Sequence, residues 1–208
     1  MVSRGQYLER PALVHVGHEV LEGLWHRGER QPPLLVLAPP PDAGSMDHVV
    51  CAELAWAAAR AGHPVLRFNY RGVGASQGAR GDGTARLADA EGALRLLREN
   101  TGAFDVAVAS VGGSAETAAR LLGEHPGIAA VALVSPPGRV LDRAPGIPFL
   151  VILGEEEADR AGRVAAAQEL GGQVEVVGGA DARFQRALPA VGRLAVRWLQ
   201  TAGKRPDS

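Results

Sequence analysis

The stretch Asp105 to Leu122, DVAVASVGGSAETAARLL, constrains the fold more than any other. Asp105–Ala109 reads as a buried strand, Ser110–Ser114 as a glycine-rich corner, and the residues that follow as a helix. A strand turning tightly into a helix is the repeating unit of parallel α/β folds. In such folds ligands sit beside the carboxyl ends of the strands, so this corner is a candidate site by position alone.

The rest of the chain repeats that unit. Ala12–Val16 and Glu19–Trp25 read as two short strands around Gly17-His18, an antiparallel edge of the kind that often precedes a parallel sheet. Leu34–Ala38, Pro64–Asn69, Ala129–Val134, Phe149–Leu153 and Gln173–Val177 read as further strands. Between them lie helical patterns. Val50, Leu54, Ala57 and Ala61 share one face, with Ser45 as the expected cap and Gly62 as the stop. Leu87, Ala90, Leu94 and Leu97 follow Thr84, and a helix runs from Ser114 to near Gly123. Another spans about Asp159 to Leu170, and the last starts near Pro189 with Leu188, Val191, Leu194 or Ala195, and Trp198 inward. The predicted fold class is α/β, a mostly parallel sheet with helices on both faces. The connection from Ser135 to Phe149 is too short for a lid domain. One domain is expected over residues 1–208, with residues 203–208 a polar tail.

A formal net charge of −1 gives no electrostatic case for nucleic acid or a membrane surface as partner. No apolar run is long enough to span a bilayer, and MVSRGQYLERP lacks the apolar core of a signal peptide, so the expected location is the cytoplasm. The one cysteine, Cys51, excludes an intramolecular disulfide and is expected to be buried in a helix. His15 and His18, three apart on extended chain, face opposite ways and make no metal pair. No cofactor or metal is expected.

Arg71 to Gly78, RGVGASQG, has the G-x-G start of a phosphate loop. Its spacing is G-x-G-x-x-x-G and it does not open straight into a helix. A tight loop that uses glycine for its backbone is the preferred reading, and a nucleotide-binding module the weakest functional one.

Several motifs occur in a telling order: Gly44-Ser45-Met46-Asp47, then Leu66-Arg67-Phe68-Asn69-Tyr70-Arg71-Gly72-Val73-Gly74-Ala75-Ser76-Gln77-Gly78, then the corner at Gly112. Gly154-Glu155-Glu156-Glu157 and Gly179-Ala180-Asp181-Ala182-Arg183-Phe184 follow. This series resembles small lidless bacterial α/β-hydrolases of the dienelactone-hydrolase-like group. Members carry H-P-H-P…G-G-S-M-D-N, L-R-F-N-F-R-G-V-G-x-S-x-G, the nucleophile elbow G-x-S-x-G, a G-x-x-D acid loop and a G-A-D-H-F-F histidine loop. The resemblance implies an α/β-hydrolase-like fold, and it places the catalytic positions. The nucleophile falls on Gly112, because Ser110-Val111-Gly112-Gly113-Ser114 exchanges serine and glycine. The acid falls on Glu157 and the histidine on Ala182. Gly113 could give one oxyanion-hole N–H, but the first loop has Ala38-Pro39-Pro40-Pro41, and prolines have no N–H to give the other.

One point is independent of that alignment. The triad in these folds runs serine, acid, histidine along the chain. The histidines are at 15, 18, 26, 48, 63 and 125, so none follows the acid loop. Without that base a serine stays a weak nucleophile. Moving the elbow to Gly112-Gly113-Ser114-Ala115-Glu116 would make Ser114 the nucleophile, but it puts Glu116 where a small residue closes the turn. Ser114 is better read as the cap of the next helix. Glu155–Glu157 could bind a metal, but acids ahead of a helix N-terminus more simply favour its dipole.

The expected function is therefore non-catalytic, the binding of an unknown small ligand or protein partner by a hydrolase-like protein whose chemistry is gone. The alternative is a serine esterase or acyl hydrolase with a rearranged site using Ser114 and Glu157. With no histidine to orient, Glu157 has no triad role, and Glu157→Gln is expected to leave any binding function largely intact.

Overall fold

The computed structural model describes residues 9–138 and 146–202. Eight strands form one sheet: β1 (Arg10–Val16), β2 (Glu19–His26), β3 (Leu34–Leu37), β4 (Val65–Phe68), β5 (Val106–Val111), β6 (Ile128–Val134), β7 (Phe149–Gly154) and β8 (Gln173–Val177). Their order is β1-β2-β4-β3-β5-β6-β7-β8. β3 to β8 run parallel, and β2 pairs antiparallel with both β1 and β4. The helices are α1 (Val49–Arg60), α2 (Gly83–Thr101), α3 (Ala115–Glu124), α4 (Arg160–Glu169) and α5 (Leu188–Ala202). α1 packs with α5, and α2 with α3. Every residue of β3, β4, β5 and β7 is buried, as strands covered on both faces must be.

The strand–helix alternation read from the sequence is present throughout, with boundaries moved where specific bonds decide them. β5 runs on through Ser110 and Val111, because both are held in the ladder, Ser110 opposite Leu37 and Leu133, and Val111 opposite Val134. The corner thus begins at Gly112. α1 starts later than expected, because the Ser45 hydroxyl accepts from Asp47 N (3.1 Å) and closes a turn of its own. His48 is the cap instead, its Nδ1 accepting from Val50 N. Cys51 is buried in α1, and burial pushes its thiol up to about 12.

The LRFN motif proves to be scaffolding. Asn69 Oδ1 accepts from Met46 N (2.7 Å), and the buried Arg67 guanidinium donates to Met46 O, Asp47 Oδ1 and Glu9 Oε1. These bonds fix the first loop above the sheet. Glu9 also lies 3.2 Å from Nε2 of the buried His26.

Burial holds the pKa of His26 below its ordinary value against the opposing pull of Glu9. Burial does the same to His63, against its bond to Pro32 O, and to His48, helped there by the charge of Arg183. A histidine whose pKa is lower folded than unfolded binds fewer protons in the native state. Its contribution is complete above the unfolded value of 6.5 and fades as pH falls below it. The melting midpoint is therefore expected to drop steadily from pH 7 to pH 5. Replacing His63 by glutamine should flatten that slope, and a midpoint level across this range would contradict the assignment.

Candidate functional site

β5 delivers the chain to Gly112 at φ +59°, after which a single 3₁₀ turn (Gly112–Ser114) opens α3. This is the sharp strand-to-helix turn that presents the nucleophile in α/β-hydrolases. A Cβ built on Gly112 meets nothing within 4 Å, so the turn faces open space. The position the motif series assigns to the nucleophile has the backbone of an elbow and no side chain on it.

Gly113 follows. A Cβ there would lie 3.0 Å from Cγ of Pro40, so the proline ring of the first loop packs directly against this residue. Pro39, Pro40 and Pro41 carry no N–H, and the Pro40 carbonyl accepts from Ala43 N (2.8 Å) and Gly44 N (3.2 Å).

Ser114 is fully buried. Its hydroxyl donates to Ala38 O and accepts from Tyr70 OH (3.4 Å). Burial pushes the Tyr70 phenol up to about 12, so it stays neutral. Ser114 does not cap α3, which corrects the sequence reading. Its backbone is already helical (φ −72°, ψ −5°), whereas a capping residue is extended so that its oxygen meets the amides ahead. The hydroxyl instead ties the start of α3 to the end of β3, and it has no solvent access.

The acid loop leaves β7 at Gly154. The Glu157 side chain is only 3 % exposed. Its Oε1 accepts from Ser135 Oγ (2.6 Å) and Gly154 N (2.6 Å), and its Oε2 from Arg163 Nη1 (2.8 Å). Arg163, from α4, also donates to Pro136 O and Ala158 O. These bonds give Glu157 a structural role that the sequence did not suggest. A buried carboxylate paired with a buried guanidinium carries structural weight whether or not a histidine is present.

Glu156 N donates to Ala180 O (2.9 Å) and Gly179 N to Glu155 Oε2 (2.8 Å), which bind the acid loop to the loop carrying Ala182. Glu155 is thus an anchor between loops, and the three glutamates precede α4 rather than standing in its first turn. Among the described residues no group of three or more His, Cys, Asp or Glu side chains could hold a metal ion.

Glu157 and Ala182 line one crevice of about 560 Å³, together with Ser135, Pro137, Asp159 and Arg163. Gly112 is not in that lining. It lies one residue beyond Val111, whose ladder partner Val134 precedes Ser135. Ala182 is exposed on the rim. Ser135 and Asp159 at the crevice, and Phe184 just beyond Ala182, have φ of +49°, +51° and +53°. Such backbone costs roughly 1–3 kcal/mol per non-glycine residue and collects at functional sites.

Sequence reasoning missed Ser135 and Arg163. Ser135 was within reach, because it sits at the carboxyl end of a parallel strand. Arg163 carried no signal, since its bond to Glu157 follows from how α4 docks.

Most amides of the Arg71–Gly78 loop are in use. Arg71 N donates to Asp89 Oδ2, Val73 N to Tyr70 O, Ala75 N to Glu22 Oε2 and Gln77 N to Val20 O. The Glu22 carboxylate thus takes up the Ala75 amide and also accepts from Asn69 Nδ2.

No protein-family model and no curated protein sequence matches the chain. Solved structures do. An α/β serine hydrolase homologue from Coxiella burnetii shares 23 % identity at a TM-score of 0.80, over 90 % of this chain and 96 % of that one. A lidless α/β serine hydrolase from Xanthomonas campestris shares 17 % at 0.80, over 96 % and 97 %. An esterase from Pyrococcus furiosus shares 15 % at 0.79, over 95 % and 92 %. At these identities the likeness establishes the fold, and no helix among the described residues is long and apolar enough to cross a membrane. The strand order, the antiparallel leading strands, the tight strand-to-helix turn at Gly112 and these neighbours agree: this chain has the lidless α/β-hydrolase fold.

Proposed function

We propose that this protein is a non-catalytic member of the α/β-hydrolase fold that binds a small ligand or a protein partner at the crevice beside Glu157. One observation carries the reading: the elbow residue is Gly112, which offers open space and no nucleophile. Three others support it. No histidine follows the acid loop, Pro40 packs on Gly113 where an oxyanion-hole amide would work, and Arg163 engages the Glu157 carboxylate. Strained backbone kept at Ser135 and Asp159 fits a binding site that remains in use.

The esterase reading draws on the hydrolases and esterase among the structural neighbours, and it would have to use Ser114. That hydroxyl is buried and committed to Ala38 O. Labelling with a fluorophosphonate and turnover of short-chain nitrophenyl esters separate the two. Wild type is expected to take no label and to hydrolyse no faster than Ser114→Ala. Label or turnover that this substitution abolishes would establish the esterase.

A further inference from the structure

At the opposite end of the sheet lies a larger feature that owes nothing to the hydrolase site. An open groove of about 1230 Å³ runs beside β1, the β2–β3 connection and the end of α2. Gln31 and Pro64 in its wall precede β3 and β4, so it lies at the amino ends of the parallel strands. Its apolar surface comes from Leu13, Trp25 and Leu96, and Leu13 is 62 % exposed. Arg10, Arg27 and Arg30 also line it, all exposed, and among the described residues none of their three guanidinium groups has a hydrogen-bond or ion-pair partner. Glu29 is the one acid of the lining.

We infer that this groove is a docking surface for an acidic segment of a partner protein that carries one large apolar side chain. The unpaired guanidinium groups set the charge of the occupant, and Leu13, Trp25 and Leu96 set its anchor. The volume exceeds the roughly 300–1,000 Å³ of small-molecule sites and the groove is open along its length, which suits an extended segment. Residues 1–8, MVSRGQYL, carry an arginine and no acid, so they do not complement it. A single aromatic in the lining is poor for nucleic acid, which uses successive stacking platforms. The groove stands apart from the crevice, so this inference and the proposed function fail or hold independently.

The probe is a fluorescent 12-residue peptide of alternating glutamate and serine with one central phenylalanine. It is expected to bind the full chain saturably below about 1 mM and to shift Trp25 emission, a shift absent from Trp25→Phe. Reversing Arg10, Arg27 and Arg30 to glutamate should weaken binding at least about tenfold, as three exposed ion pairs imply. Leu13→Ser should weaken it while leaving its salt dependence unchanged. Equal binding of a lysine version, no saturable binding, or full affinity in the triple variant would overturn the inference. So would tighter binding of a single-stranded oligonucleotide, binding seen only after deletion of residues 2–8, or a dimer that the triple variant dissolves. Circular dichroism confirms that each variant folds.

Discussion

Glutamine in place of Glu157 is expected to lower stability by about 2–4 kcal/mol, and leucine by about 3–5 kcal/mol. In a domain of this size the glutamine variant should melt roughly 4–16 °C lower. The cause is the charge left behind. The Arg163 side chain is 10 % exposed, and Glu157 is its only carboxylate partner among the described residues. Without the carboxylate, Arg163 keeps two backbone carbonyls and loses its counter-ion, while Ser135 Oγ and Gly154 N lose or weaken their acceptor. Removing both charges should undo most of the damage. The pair Glu157→Leu with Arg163→Met is expected within about 1 kcal/mol of wild type, because replacing a buried pair by apolar groups is commonly near neutral. Thermal melts of wild type, Glu157→Leu, Arg163→Met and the pair give the coupling energy directly. A glutamine variant melting with wild type would show that the pair does no structural work.

How much of this was legible beforehand follows from which forces are local. Strands and helices could be read because burial on both faces needs unbroken apolar runs and covering helices need a 3.6-residue stripe. β8 was read to the residue, since Gly171-Gly172 and Gly178-Gly179 bracket it. The end of β5 was not, because a polar Ser110 is held there by two neighbouring strands that lie far off in sequence. The role of Ser114 was misread for a related reason. A serine before a helix predicts a cap, but Ala38 O, 76 residues away, outbids the local amides. Glu157 was singled out as a position, but its pairing with Arg163 was not legible, because Arg163 comes from the docking of α4 and no spacing announces it.

The same contact governs what it would take to build hydrolase chemistry here. On the proposed reading, serine at Gly112 and histidine at Ala182 would supply a nucleophile and a base. The space at 112 is open, so serine there meets only the cost of φ +59°, roughly 1–3 kcal/mol. The double variant is nevertheless expected to turn over nitrophenyl acetate no faster than wild type. Glu157 Oε2 is held by a permanent cation and Oε1 by two donors, so a histidine at 182 gains no orienting carboxylate. The Pro40 ring also sits on Gly113 where a developing oxyanion would need room and a second N–H. Adding Arg163→Met frees Oε2 for the new histidine, and a positioned base is worth about 10²–10⁴ in rate. Adding Pro40→Gly clears Gly113 and restores an N–H, worth roughly 100- to 1000-fold for one oxyanion donor. The quadruple variant should therefore exceed the double by at least about a hundredfold and take up a fluorophosphonate. A double variant already as active as the quadruple would show that neither Arg163 nor Pro40 blocks the site. Four folded variants with no turnover would remove the ground for placing nucleophile, acid and base at Gly112, Glu157 and Ala182.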